Sequence, residues 1–377
     1  MKRYLDTLVL KDLATKAVVL TGPRQVGKTT LSRQLMQNFE RSQYLNWDVL
    51  SDRMILQRQS WNPRSNLLVL DEIHKMPNWK AWLKGVIDSR ITGDALLVTG
   101  SARMETFRQT GDSLAGRYFS FRLHPISVRE WCDQQGVAPA IALDHLIERG
   151  GFPEPCLAPD NVQAERWRAQ YFTDLIREDV LEFSRLQEVN TMRLFVELLR
   201  ERVGSPLSLA SIARDLAVSP ITLKRYLEIL QALFIVFTVH PWHKNVGRAI
   251  LQTPKVYFFD TGLVRGDQGI RLENAVAGML LKHTHFLQDS AGKDVGLHYL
   301  RTKDGAEVDF ATSEAGEIKQ LIECKLSDNN PHRALTKFAE LFPEAAATQI
   351  VYHLRQDEFR NGITITNAAN WLAQLAA

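Results

Sequence analysis

Apolar residues in this chain cluster in two ways. Short unbroken runs, Val18-Val19-Leu20, Leu67-Leu68-Val69-Leu70 and residues 95–99, have the look of strands buried on both faces. Between them the spacing turns helical: Leu31 and Leu35 follow the first run, and Trp79, Trp82, Leu83, Val86 and Ile87 form one stripe of a helix starting near Pro77. Residues 4–14 predict a short amphipathic helix, 42–48 a second strand, and those on to Arg58 a polar connection flanked by Trp47 and Trp61. A turn and a last strand follow within 111–123. Strands alternating with helices predict an α/β domain with a parallel sheet.

Beyond residue 150 the pattern changes. Gly150-Gly151-Phe152-Pro153, with Pro155 and Pro159, marks a break, and 164–186 predicts a charged helix with Trp167, Tyr171, Leu175, Ile176 and Val180 along one stripe. Helices over 191–203, 209–217 and from Pro220 onward carry Ile212, Ala213, Leu216, Leu223, Tyr226, Leu227 and Leu230 at the spacing of a helix-turn-helix core. Strands at 235–239 and 256–259 would form its wing. Near the carboxyl end the period becomes two: Val308 and Phe310 oppose Glu307, Asp309 and Ala311, and Ile322, Cys324 and Leu326 oppose Glu323 and Lys325. A turn at Ala315-Gly316 folds these strands into a hairpin.

The first strand opens into Gly22-Pro23-Arg24-Gln25-Val26-Gly27-Lys28-Thr29-Thr30, which fits G-x-x-x-x-G-K-[ST] without a mismatch. Gly22 and Gly27 let successive amides turn inward onto phosphate oxygens. Lys28 brings charge to the β- and γ-phosphates, Thr29 offers a hydroxyl to Mg²⁺, and the helix amino terminus lies beneath the triphosphate of ATP. The run at 67–70 ends in Asp71-Glu72. At the end of a strand beside the P-loop strand, Asp71 can hold the Mg²⁺ water shell and Glu72 can act as general base on the attacking water. Ser101, with Thr99 as substitute, ends the next strand where a polar side chain can meet the γ-phosphate, or it caps a helix. Arg24, Arg103 and Arg117 are candidates for an arginine contributed across a subunit boundary, and Arg117 is preferred.

Length and composition set the remaining bounds. The 377 residues, 45% apolar and 24% charged, suit several globular domains, and a net charge of +3 gives no case by itself for nucleic acid. Cys132, Cys156 and Cys324 lack a metal-ligand spacing, which points to a reducing cytoplasm. Asp6, Lys11 and Asp12 argue against a secretory signal, and no apolar run reaches membrane-spanning length. In the helix-turn-helix, Ser219, Thr222, Lys224 and Arg225 would face a DNA major groove, although winged helices also pack against proteins. In the hairpin, Asp309 falls beside Glu323 and Lys325, a candidate Mg²⁺ site for phosphodiester attack to which Glu273 could add a carboxylate. An ordinary solvated hairpin face is the competing reading.

The chain resembles AAA+ ATPases that join a P-loop domain to a winged helix and a carboxy-terminal restriction-endonuclease-like domain. Residues 22–29, Leu70-Asp71-Glu72-Ile73-His74, Thr99-Gly100-Ser101, Leu114-Ala115-Gly116-Arg117 and the run Lys255-Val256-Tyr257-Phe258-Phe259-Asp260-Thr261-Gly262-Leu263 carry the likeness in order. It implies an α/β chain with an ATPase domain at 1–135, a helical lid at 136–190, a winged helix at 191–254 and a nuclease-like domain at 255–377. For the last it implies a PD-(D/E)xK fold with Asp309, Glu323 and Lys325 at the metal positions and Glu273 on the leading helix. The second-sensor arginine usual in AAA+ lids has no counterpart. Two functions are expected from this: a cytoplasmic, DNA-associated ATPase using ATP and Mg²⁺, able to form homo-oligomers and carrying a nuclease-like tail, or a nucleotide-dependent switch that binds protein partners through an inactive tail.

Overall fold

The computed structural model describes residues 1–89, 94–100, 114–175, 186–243, 253–328 and 330–377. Ser101 and Arg103 lie outside the described residues. The chain divides into two compact units, Met1–His124 and Pro125–Ala377.

In the first unit, α1 (Asp6–Leu13), β1 (Ala17–Thr21), α2 (Lys28–Met36), β2 (Ser42–Asn46), α3 (Leu50–Arg58), β3 (Leu67–Asp71), α4 (Trp79–Ser89), β4 (Ala95–Thr99) and β5 (Tyr118–Arg122) follow one another. The five strands form a parallel sheet in the order β2-β3-β4-β1-β5. β1, β3 and β4 are buried along their whole length, as unbroken apolar runs require. The Asp71 strand is not beside the P-loop strand, as the sequence suggested, because β4 lies between them. Three runs of equal apolarity carry no information about their lateral order.

The connection after β2 also departs from expectation, since Leu50–Arg58 is a helix. Its only buried side chain is Leu56, and Val49, Leu50 and Met54 are exposed, so no apolar stripe announced it. The tryptophan-bearing stripe of α4 packs inward as core: Trp79, Leu83 and Val86 join Leu68, Leu70 and Val98, with Trp82 edge-on to Trp61.

The second unit begins with α5 (Val128–Gln135), α6 (Pro139–Arg149), α7 (Pro153–Leu157), α8 (Asn161–Leu175), α9 (Leu186–Arg200), α10 (Leu209–Asp215) and α11 (Pro220–Ala232). Then come β6 (Val236–Pro241), β7 (Lys255–Phe258), α12 (Gln268–Ala291), β8 (Val295–Arg301), β9 (Glu307–Glu314), β10 (Glu317–Lys325), α13 (Arg333–Leu341), β11 (Ala346–Val351), β12 (Glu358–Arg360), β13 (Ile363–Asn367) and α14 (Ala368–Ala373). Among the described residues no helix is long and apolar enough to cross a membrane.

β6 and β7 pair antiparallel as a wing would, but β6 also pairs with β8 through His240 and Pro241. The result is one eight-stranded sheet, β12-β13-β11-β10-β9-β8-β6-β7. The leading helix expected to carry Glu273 is the 24-residue α12.

The break expected at Gly150-Pro153 is instead a point of close packing. The Ile126 amide donates to Gly151 O at 2.7 Å, and a Cβ on Gly150 (φ +71°) would stand 1.8 Å from Asp260 Oδ1. Asp260 in turn takes Arg168 Nε at 2.9 Å and caps the Thr261–Leu263 turn through the Gly262 amide. Part of the motif at 255–263 is therefore a structural lock.

One strand breaks its expected alternation. Between the pairs His298–Ala311 and Leu300–Val308, β9 carries one residue more than β8. This bulge puts Val308 and Ala311 into the same core with Leu321, Leu335 and Phe338, and turns Phe310 onto the Tyr257 ring. The predicted faces, with Val308 and Phe310 together and Ala311 opposite, are thus corrected by the inserted residue.

Candidate functional site

The turn between β1 and α2 is shaped by three left-handed residues, Gly22 (φ +145°), Gln25 (φ +59°) and Gly27 (φ +102°). Gly22 is irreplaceable on space alone: a Cβ there would lie 2.3 Å from Leu123 O on the neighbouring strand's extension. Pro23 and Val26 are buried, Arg24 is half-buried, and Gln25 and Thr30 are exposed. Arg3, unremarked in the sequence, holds the turn from behind by donating to Val26 O at 2.9 Å and His124 O at 2.5 Å.

Lys28 opens α2 with its ammonium inside the turn, donating to Gly22 O at 3.0 Å and Pro23 O at 2.6 Å. Burial pushes it down to about 8, against the pull of Glu72 and Asp71. Thr29 Oγ1 donates to Asp71 Oδ2 at 3.0 Å, so the expected metal pair is brought together even across the intervening strand. Thr99 Oγ1, at the end of β4, donates to the other Asp71 oxygen.

Tyr44 Oη also donates to Asp71 Oδ2, a contact the sequence did not signal. Burial, then the Asp71 hydrogen bond, raises that phenol, so it stays a donor. Thr29 and Asp71 carry oxygens of the hard kind that Mg²⁺ takes.

Glu72 takes a left-handed conformation (φ +57°) at the strand end. Its carboxylate lies 3.4 Å from Lys75 Nζ and 3.6 Å from His74 Nε2, and Lys75 also reaches Asp48 at 2.5 Å. Burial raises the Glu72 carboxyl, with Lys75 opposing. That is the direction a general base needs. Arg117 is half-buried and forked onto Asp88, with Nε at 2.8 Å and an Nη at 3.2 Å.

In the second unit, Ser219 caps α11 by accepting from the Thr222 amide at 3.0 Å, and the two hydroxyls share a hydrogen bond at 2.8 Å. Lys224 and Arg225 are exposed on the same helix. The hairpin brings Asp309, Glu323 and Lys325 together as expected: the Cys324 amide donates to Asp309 Oδ2 at 2.9 Å, the Asp309 amide to Glu323 Oε2 at 3.3 Å, and Lys325 Nζ to Glu323 Oε1 at 2.7 Å. His332 Nδ1 lies 3.0 Å from Glu323 Oε1.

Glu273 reaches the same neighbourhood from α12, accepting from Tyr257 Oη at 2.7 Å and Lys255 Nζ at 3.3 Å. Burial first, then the Asp309 charge, raises both Glu273 and Glu323. Burial alone would lower Lys255, yet Glu273, Asp309 and Glu307 together hold it above its ordinary value. Lys255 belongs to a motif whose β-pattern was legible, but nothing local announced its partners.

A P-loop turn on this strand order, with its threonine tied to the acid of a strand two places away, defines a P-loop domain of the AAA type. Family comparisons agree: residues 14–132 match the AAA domain, 141–272 a domain of unknown function (DUF8612) and 268–371 a second one (DUF4143). Uncharacterized proteins of Mycobacterium tuberculosis and Mycobacterium bovis are each 30% identical over 314 residues, spanning 79% of this chain and 68% of theirs. The chain belongs to the family of these mycobacterial proteins. An uncharacterized Haemophilus influenzae protein is 23% identical over 99% of this chain and 98% of its own.

Among solved structures, a Walker-type ATPase of Pyrococcus abyssi is similar at 13% identity (TM-score 0.43; 70% of this chain, 94% of that one). The Thermotoga maritima RuvB Holliday junction branch migration motor is similar at 18% (TM-score 0.32; 62% and 86%). Likeness at these scores carries no argument about activity.

Proposed function

We propose that the chain binds and hydrolyses ATP at residues 22–30, and that nucleotide state governs how the second unit meets its partner. The observation that carries this reading is the Thr29 to Asp71 hydrogen bond at 3.0 Å beside the buried Lys28 ammonium. Turn amides and Lys28 hold the phosphates, and Glu72 takes a proton from the water that attacks the γ-phosphorus as ADP leaves. Mg²⁺, held by Thr29 and Asp71, would neutralise phosphate charge. In a homo-oligomer Arg117, released from Asp88, would supply positive charge to a neighbouring copy's γ-phosphate, and Ser101 would add a polar contact.

For the partner, exposed Lys224 and Arg225 on α11 favour DNA, with the Ser219 and Thr222 hydroxyls engaged in the helix cap rather than offered to bases. A protein partner is the second reading, favoured by Ile221, 81% exposed on that helix.

ATP turnover measured with and without duplex DNA over a range of salt separates these. Stimulation that fades with salt supports DNA, and salt-insensitive or absent binding supports a protein partner. Turnover by Lys28→Ala equal to wild type would refute the ATPase assignment.

A further inference from the structure

The carboxylates that the resemblance assigns to a divalent metal do not fit one. Among the described residues no three His, Cys, Asp or Glu side chains are grouped to hold a metal ion. What stands among the acids is Lys255. It is 1% exposed, with Nζ 2.6 Å from Glu307 Oε1, 3.3 Å from Glu273 Oε1 and 3.9 Å from Asp309 Oδ1, and it lies over the Tyr299 ring. Mg²⁺ needs oxygens converging at about 2.0–2.1 Å in octahedral array. An ammonium already lies among the oxygens of Glu273, Glu307 and Asp309, and its charge repels a second cation.

The remaining oxygens are also engaged within the chain. Glu307 Oε2 takes Arg301 at 3.1 Å, Asp309 Oδ2 takes the Cys324 amide, and both oxygens of Glu323 face donors, Lys325 on one side and the Asp309 amide on the other. A Cβ on Gly204 (φ +75°) would stand 2.7 Å from Glu273 Oε2, so that carboxylate is pressed against the loop after α9.

We propose that Lys255 is the resident cation of this cluster, standing in place of a divalent metal. The cluster then ties β7, α12 and the β9–β10 hairpin together and performs no metal-dependent hydrolysis. This holds whether or not the first unit hydrolyses ATP.

The test is equilibrium Mn²⁺ binding to the full chain in a Thr29→Ala, Asp71→Asn background, which removes the P-loop donors. With Lys255 present, no Mn²⁺ site lost on Asp309→Asn is expected. Lys255→Met should create one, at least about tenfold tighter than any residual binding, that vanishes when Glu273→Gln and Asp309→Asn are added. Lys255→Arg, which keeps the charge, should create none. A Mn²⁺ site in the background chain that Asp309→Asn abolishes would overturn the proposal. So would a folded Lys255→Met that gains no site, or Mg²⁺-dependent nicking of DNA or RNA lost on Asp309→Ala. If Lys255→Met does not fold, the measurement with Lys255 intact still decides.

Discussion

Replacing Gly22 by alanine should disable the nucleotide site while leaving the fold recognisable. The added Cβ would meet Leu123 O at 2.3 Å, whereas real Cβ atoms keep about 3.0 Å, so one backbone must retreat by at least the difference, about 0.7 Å. Leu123 cannot retreat freely, because its amide donates to Thr21 O at 2.8 Å, one residue before Gly22. The movement therefore falls on the turn, whose φ of +145° alanine also resists at about 1–3 kcal/mol. A displacement near 1 Å at groups that position a reacting phosphate costs roughly 10²-fold in rate. Phosphate release at saturating MgATP should fall by about that factor, with melting showing a folded chain. Wild-type turnover in Gly22→Ala would mean that this turn does not hold the phosphates.

Two further outcomes are expected. Because burial lowers Lys28 to about 8, the ammonium is present below that pH, and above it binding must take up a proton; ATP Kd should therefore rise by up to about tenfold per pH unit above 8 in the wild type and stay flat in Lys28→Arg, as read by calorimetry in buffers of differing ionisation heat. A flat wild-type profile would refute the depressed lysine. Arg168→Ala strips Asp260, a buried carboxylate, of its guanidinium partner and should cost the second unit about 3–5 kcal/mol in denaturant unfolding; a loss under about 1 kcal/mol would deny the lock at Gly150 and Gly262 its role.

The P-loop turn was legible in the sequence because its pattern is local. A turn of nine residues must supply the amides, the ammonium and the hydroxyl in one order, and an acidic pair must end an apolar strand, so contiguous spelling nearly suffices. The hairpin was legible too, since a period of two and a turn at Ala315-Gly316 fix which residues meet. Its faces were not, because the extra residue at Asp309-Phe310 leaves no mark on composition yet shifts everything before it. The helix at Leu50–Arg58 escaped notice because it buries so little.

What folding alone decided is who stands beside whom across long separations. Tyr44 and Thr99 share Asp71 from two strands, Arg3 supports Val26, and Lys255 sits among Glu273, Glu307 and Asp309. Each pairing depends on strand order and sheet register, which identical apolar runs leave open and only the packed core fixes. The sequence by itself determined the turn between β1 and α2 and the order of its groups; the tertiary structure determined which charges surround that turn, and that Lys255 stands among the acids of the second cluster.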